Sequence, residues 1–141
     1  MKATIEARPL AGTVFYAPLY GSHVQAGFPS PADDYIEQRL DLNEHLIKHP
    51  AATFYARAAG DSMTDFGIFN GDLLIVDRAL HPKHGDIVIA ALDGELTCKI
   101  LNTRHHQLCS GNQQHPPIPI SSDSSLIIEG VVVASIRQHR C

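Results

Sequence analysis

Two places in this chain carry residue types suited to acyl-transfer chemistry: the serine of Gly60-Asp61-Ser62-Met63 and the lysine of Leu96-Thr97-Cys98-Lys99-Ile100. A serine hydroxyl is a poor nucleophile until a base takes its proton, and in a Ser-Lys pair that base must be an uncharged amine. Lysine titrates near 10.4 in water, so work near neutral pH requires its pKa to fall by about 3 units, roughly 4 kcal/mol, which burial among apolar groups can supply. A tetrahedral intermediate needs hydrogen-bond donors too. Ser62 follows Gly60 at a turn that runs into a short helical segment, so the backbone N–H groups of Asp61 and Ser62 could converge on one oxyanion. The candidate roles are Ser62 as nucleophile and Lys99 as general base. Upstream, Gln25-Ala26-Gly27-Phe28-Pro29-Ser30-Pro31 reads as what they would act on, at the Ala26-Gly27 bond.

Each piece taken alone also has a plainer reading. Lys99 shares a strand face with Thr97 and Glu95, the pattern of an exposed strand lysine. Gly60-Asp61-Ser62 alone would serve as an ordinary turn or helix cap. Phe28 and Ser30 precede prolines and are pushed toward extended backbone. Small Ala26 and Gly27 between such residues suit a peptide that enters a cleft by adding a strand to a sheet edge. The same composition also makes an ordinary Pro/Gly linker.

The elements that must position these residues follow from periodicity and turn chemistry. Residues 1–31 hold Pro9, Pro18, Pro29 and Pro31 with Gly12, Gly21 and Gly27 between them, so no helical or strand period lasts and an extended arm is expected. Asp41-Leu42-Asn43-Glu44 resembles a capping box, and Pro50 closes a short helix from about Leu42 to His49. That helix would place His45 and His49 on one face, but no third ligand accompanies them, so a solvated face is expected rather than a metal site. Short apolar runs then follow at Thr53–Ala58, Asp72–Asp77, Asp86–Leu92, Leu96–Leu101, Gln107–Cys109 and Leu126–Ile136, with Asp93-Gly94 a hairpin signal. The fold expected is mainly β: a curled antiparallel sheet over residues 32–141, with an extended N-terminal arm and one short helix.

Composition sets the outer bounds. With 141 residues, 44% of them apolar, the chain has room for one compact domain. Fifteen acidic against eleven basic residues, a net charge of -4, argue against direct DNA binding or attachment to an anionic membrane. No run of about 18 apolar residues and no signal-peptide pattern are present, so a cytoplasmic protein is expected. Cys98, Cys109 and Cys141 are odd in number and lack C-x-x-C spacing, which suits free thiols in a reducing compartment. Neither a cofactor nor a metal is expected.

From Val24 to about Ile136 the motifs combine into a specific resemblance. Gly27-Phe28-Pro29-Ser30-Pro31-Ala32, Asp41-Leu42-Asn43, Gly60-Asp61-Ser62-Met63, Gly71-Asp72-Leu73-Leu74-Ile75-Val76-Asp77 and His84-Gly85-Asp86-Ile87-Val88-Ile89-Ala90-Ala91 are similar to the UmuD family of SOS mutagenesis proteins, plasmid-borne relatives included. That family belongs to the LexA-like self-cleaving peptidases. The resemblance implies Ser62 as nucleophile, Lys99 as base and Ala26-Gly27 as the scissile bond. It further implies that a RecA filament on single-stranded DNA stimulates removal of residues 1–26. The trimmed form would then serve a Y-family polymerase of the UmuC type, and a homodimer with mobile arms is implied as well. Only 26 residues precede the cut, too few for the DNA-binding domain of a LexA-like repressor. Ala26 stands where the chromosomal UmuD type has cysteine, but Ala-Gly is the bond cut in the repressors. Residues 1–20 and 102–120 match less well. Two other readings share the residues: a polymerase-binding module in which cleavage is incidental or lost, and a Ser-Lys peptidase acting on other chains, like a signal peptidase.

Overall fold

The computed structural model describes residues 1–7, 14–20, 36–112, 114–121 and 126–140. In chain order its elements are β1 (Lys2–Ala7), β2 (Ala17–Tyr20), β3 (Ile36–Leu40), α1 (Leu42–Leu46), β4 (Thr53–Ala59), β5 (Leu73–Asp77), β6 (Ile87–Leu92), β7 (Glu95–Asn102), β8 (Gln107–Cys109), β9 (Ile118–Pro119) and β10 (Leu126–Ile136). They form two units, Met1–Pro9 with His49–Cys141, and Leu10–Lys48.

Among the described residues of the larger unit, eight strands pair antiparallel in the order β1-β4-β5-β10-β6-β7-β8-β9. β1 also meets β7, with Lys2 opposite Thr97, so the sheet curls back on itself. The fold is thus mainly β and curled, as the turn-bounded apolar runs require. The Asp93-Gly94 signal marks a two-residue hairpin: Leu92 pairs with Glu95 while Asp93 and Gly94 take φ of 51° and 83°. Positive φ at both positions gives the turn whose twist matches the strands it joins. β10 does double service, pairing with β6 over Leu126–Val131 and with β5 over Val131–Ile136.

Apolar residues cover both faces of the sheet. Phe54, Ala56, Met63, Leu74, Val76, Ile89 and Cys98 belong to one cluster, and Val88, Ala90, Leu101, Leu108 and Val131 to a second. Successive residues of β6 alternate between the two, which is why its sequence reads as an unbroken apolar run.

In the smaller unit β2 pairs antiparallel with β3, and Asp41 then caps α1 by accepting a hydrogen bond from the Asn43 N–H at 3.0 Å. The Glu44 carboxylate accepts from the Tyr16 hydroxyl at 3.2 Å. The expected helix to His49 stops at Leu46, with Ile47 extended at φ -108° and ψ 106°. Pro50 disfavours helical backbone at His49, which takes φ -131° and ψ 77°. His49 Nδ1 lies 2.6 Å from Asp77 Oδ2, so His45 and His49 do not share a helix face. Lys2–Ala7 is a strand although its sequence carries no period, because Ala3 is its one buried apolar residue among those described and Ile5 is half exposed. Its register comes from β4, not from its own pattern. Among the described residues no helix is long and apolar enough to cross a membrane.

Candidate active site

β4 delivers the chain to Gly60, whose φ of +101° lies where a side chain would be strained. The Gly60 N–H donates to Asn70 Oδ1 at 3.0 Å, which holds the turn. Met63 is fully buried in the first apolar cluster and anchors the segment, and a 3₁₀ turn over Thr64–Phe66 follows, in line with the helical segment expected after Ser62. Between these anchors Ser62 is only 3% exposed.

Lys99 sits in β7 opposite Val88, between Cys98 and Ile100. It is 7% exposed, so the exposed-lysine pattern of its strand is overturned. Its cross-strand neighbour Val88 and its same-face neighbour Leu101 both belong to the second apolar cluster. The face that Thr97 and Glu95 made look wet is therefore covered further along the strand. Burial among these groups holds the Lys99 amine below the ordinary lysine range, while Cys98, the Met1 amino group and Cys109 pull it upward to a lesser degree. Its Nζ donates to Ser110 Oγ at 2.6 Å. Desolvation pushes the neighbouring Cys98 thiol up to about 12.

Ser62 and Lys99 meet through Met1. The Met1 amino group donates to Ser62 Oγ at 2.6 Å, and its pKa is lowered first by burial and then by the Lys99 charge beside it. The Met1 carbonyl accepts from the Cys98 N–H at 2.7 Å and from Thr97 Oγ1 at 2.8 Å. β1 therefore lies between β4, which leads into the nucleophile turn, and β7, which carries the lysine. Asp61 and Ser62 line an open pocket of about 330 Å³ together with Met1 and His115, and His115 Nε2 lies 3.7 Å from Asp61 Oδ1. Ala26 and Gly27 lie outside the described residues.

Sequence reasoning missed the residues that brace this site. The Gly111 N–H donates to the Ser62 carbonyl, the Gly111 carbonyl accepts from the Asp65 N–H at 3.2 Å, and Asn112 Nδ2 donates to the Asp61 carbonyl at 3.1 Å. Gly-Asn after β8 was readable as a turn, but nothing in its composition says which turn it would touch.

The peptidase S24-like family model matches residues 18–133. Protein ImpA of Salmonella typhimurium is 47% identical over 134 residues, covering 95% of this chain and 92% of the relative. Protein MucA of the same organism is 41% identical over 141 residues, covering 99% and 97%. The LexA repressor of Shewanella denitrificans is 37% identical over 123 residues, covering 85% of this chain and 59% of the repressor. A buried serine and a buried lysine turned toward one amino group, in a chain that this family model covers over most of its length, leave one assignment: the chain belongs to the peptidase S24-like family and, within it, to the UmuD-like proteins.

Proposed function

We propose that this protein is a self-cleaving serine peptidase of the DNA-damage response, which cuts its own Ala26-Gly27 bond with Ser62 as nucleophile and Lys99 as general base. The observation that carries the reading is the convergence of Ser62 Oγ and the depressed Lys99 amine on the Met1 amino group, with both side chains withdrawn from water. In the first step neutral Lys99 takes the Ser62 proton as Oγ bonds to the Ala26 carbonyl carbon, and the oxyanion is met by the Asp61 and Ser62 N–H groups. Collapse breaks the C–N bond, and Lys99 passes its proton to the departing Gly27 amine. Water, deprotonated by Lys99, then attacks the Ala26–Ser62 ester and frees the Ala26 carboxylate and the Ser62 hydroxyl.

β1 supports the idea that the substrate docks as an added strand, because a strand already fits between β4 and β7 with Met1, the residue before it, at Ser62 Oγ. The Ala26-Gly27 segment would use the same lane, so β1 must leave first. A RecA filament on single-stranded DNA would accelerate the cut by favouring the docked segment. The product beginning at Gly27 would act in the cytoplasm as a homodimeric partner of a UmuC-type Y-family polymerase. The deciding experiment is intact-mass measurement after incubation with RecA, ATP and single-stranded DNA. The wild type is expected to lose residues 1–26 and Ser62→Ala to stay whole; loss in both, or in neither, would overturn the reading.

A further inference from the structure

We propose that Ser110 is a positioning residue for Lys99, and that Ser110-Gly111-Asn112 is a clasp joining the base to the nucleophile turn. The proposal rests on the reading of Lys99 as general base. β7 and β8 pair with Asn102 opposite Gln107, Leu101 opposite Leu108 and Ile100 opposite Cys109. One further step in that register sets Ser110 opposite Lys99 on the same face, as a cross-strand pair. The contact is made: Lys99 Nζ donates to Ser110 Oγ at 2.6 Å.

The next two residues reach the other half of the site. Gly111 bonds the Ser62 carbonyl through its N–H and the Asp65 N–H through its carbonyl, and Asn112 holds the Asp61 carbonyl. Only glycine fits in the middle, since a Cβ there would stand 2.7 Å from Phe66 Cδ2 and 2.8 Å from Met63 Cα. Three adjacent residues thus grip the base, the nucleophile's own peptide and the peptide before it. Nucleophile and base come from distant parts of the chain, and this clasp gives them a common support.

A neutral amine has two N–H bonds and one lone pair. Donating one N–H to Ser110 Oγ stops the amine from rotating and directs the lone pair away from Ser110, so that it is free for the Ser62 proton. The groups that act on Lys99 are the Met1 amino group just before β1, the Cys98 thiol beside it on β7 and the Cys109 thiol on β8. Against these the Ser110 hydroxyl is an oriented acceptor, and an acceptor favours the ammonium slightly over the amine.

The test is the rate of self-cleavage against pH for the wild type, Lys99→Ala, Ser110→Ala and Ser110→Thr, read by intact mass at a temperature where all four are folded. Ser110→Ala is expected to lower the high-pH limiting rate about tenfold through lost orientation, and to move the midpoint about half a unit toward acid as the acceptor is lost. Ser110→Thr, which keeps the hydroxyl, is expected to restore both. A purely structural contribution would lower the rate at every pH without moving the midpoint, and that result overturns the proposal. So does a Ser110→Ala profile equal to the wild type, or a threonine variant no better than alanine. Undiminished cleavage in Lys99→Ala would instead overturn the base assignment.

Discussion

The chemistry proposed for Lys99 depends on its surroundings more than on its type. Burial lowers its pKa, and a base must be neutral to act, so the rate of filament-free self-cleavage should rise with pH and level off below the ordinary lysine value near 10.4. Intact-mass time courses from about pH 7 to about pH 10 check this, and no rise in a protein that stays folded would count against Lys99 as base. The neighbouring Cys98 is wholly buried and its thiol is pushed up to about 12, whereas Cys109 is half buried. Iodoacetamide should therefore label Cys109 ahead of Cys98 in the native protein, and Cys98 only on unfolding, as peptide mapping would show. The turn that holds Ser62 could be read from sequence because Gly60, Asp61 and the following helical turn are local signals. The burial of Lys99 could not, because alternation along a strand assigns a face without saying what covers it. Ser110 was hidden for a related reason: its partner depends on the register across the turn at Thr103–His106, which those residues do not specify.

Strands bounded by turn residues were readable almost to their ends. β8 and β10 match the expected spans, and β4 to β7 differ at their limits by a residue or so, because buried apolar runs stop where Gly, Asp and Asn begin. The short helix was misjudged at its end, where the demand of Pro50 on His49 outweighs the histidine periodicity. β1 was missed because its strand character is borrowed from β4. That borrowed strand leads to a prediction. Ala3 is buried in the first apolar cluster opposite Ala58, so Ala3→Asp would bury a charge there and favour departure of β1. If β1 occupies the lane the substrate needs, Ala3→Asp should raise the rate of self-cleavage at about pH 10 by several-fold, in proportion to the competent population. An unchanged or slower rate in folded protein would show that β1 does not compete.

At the scale of the molecule, the neighbouring central strands β5 and β10 are tied at one end by a buried carboxylate. Asp72, just before β5, is 2% exposed and accepts from Arg137 Nε and Nη2, each at 3.0 Å, and from the Phe69 N–H at 2.9 Å. Arg137, just past β10, also lies 3.9 Å from the centre of the Phe69 ring and donates to the Gly67 carbonyl. The arginine holds Asp72 below the usual carboxylate range. A carboxylate with a depressed folded pKa contributes stability above its unfolded pKa, and that contribution fades as pH falls through the folded value. Arg137→Ala should therefore lower the melting temperature at neutral pH and move acid unfolding to a higher pH. Circular dichroism against pH would show it, and coincident acid transitions would refute it.

β1 is hydrogen-bonded along both flanks, to β4 on one side and at its first residues to β7 on the other. Once the chain is severed at Ala26-Gly27, β1 is untethered, and it can return to the lane it left only as a noncovalent guest in its own barrel. Dilution alone should then release it, which native mass spectrometry of the cut protein would record as loss of the Met1–Ala26 peptide without unfolding. What stays behind is a slot between two bare backbone edges, ending at the spent serine and shaped to accept a ribbon from a different molecule.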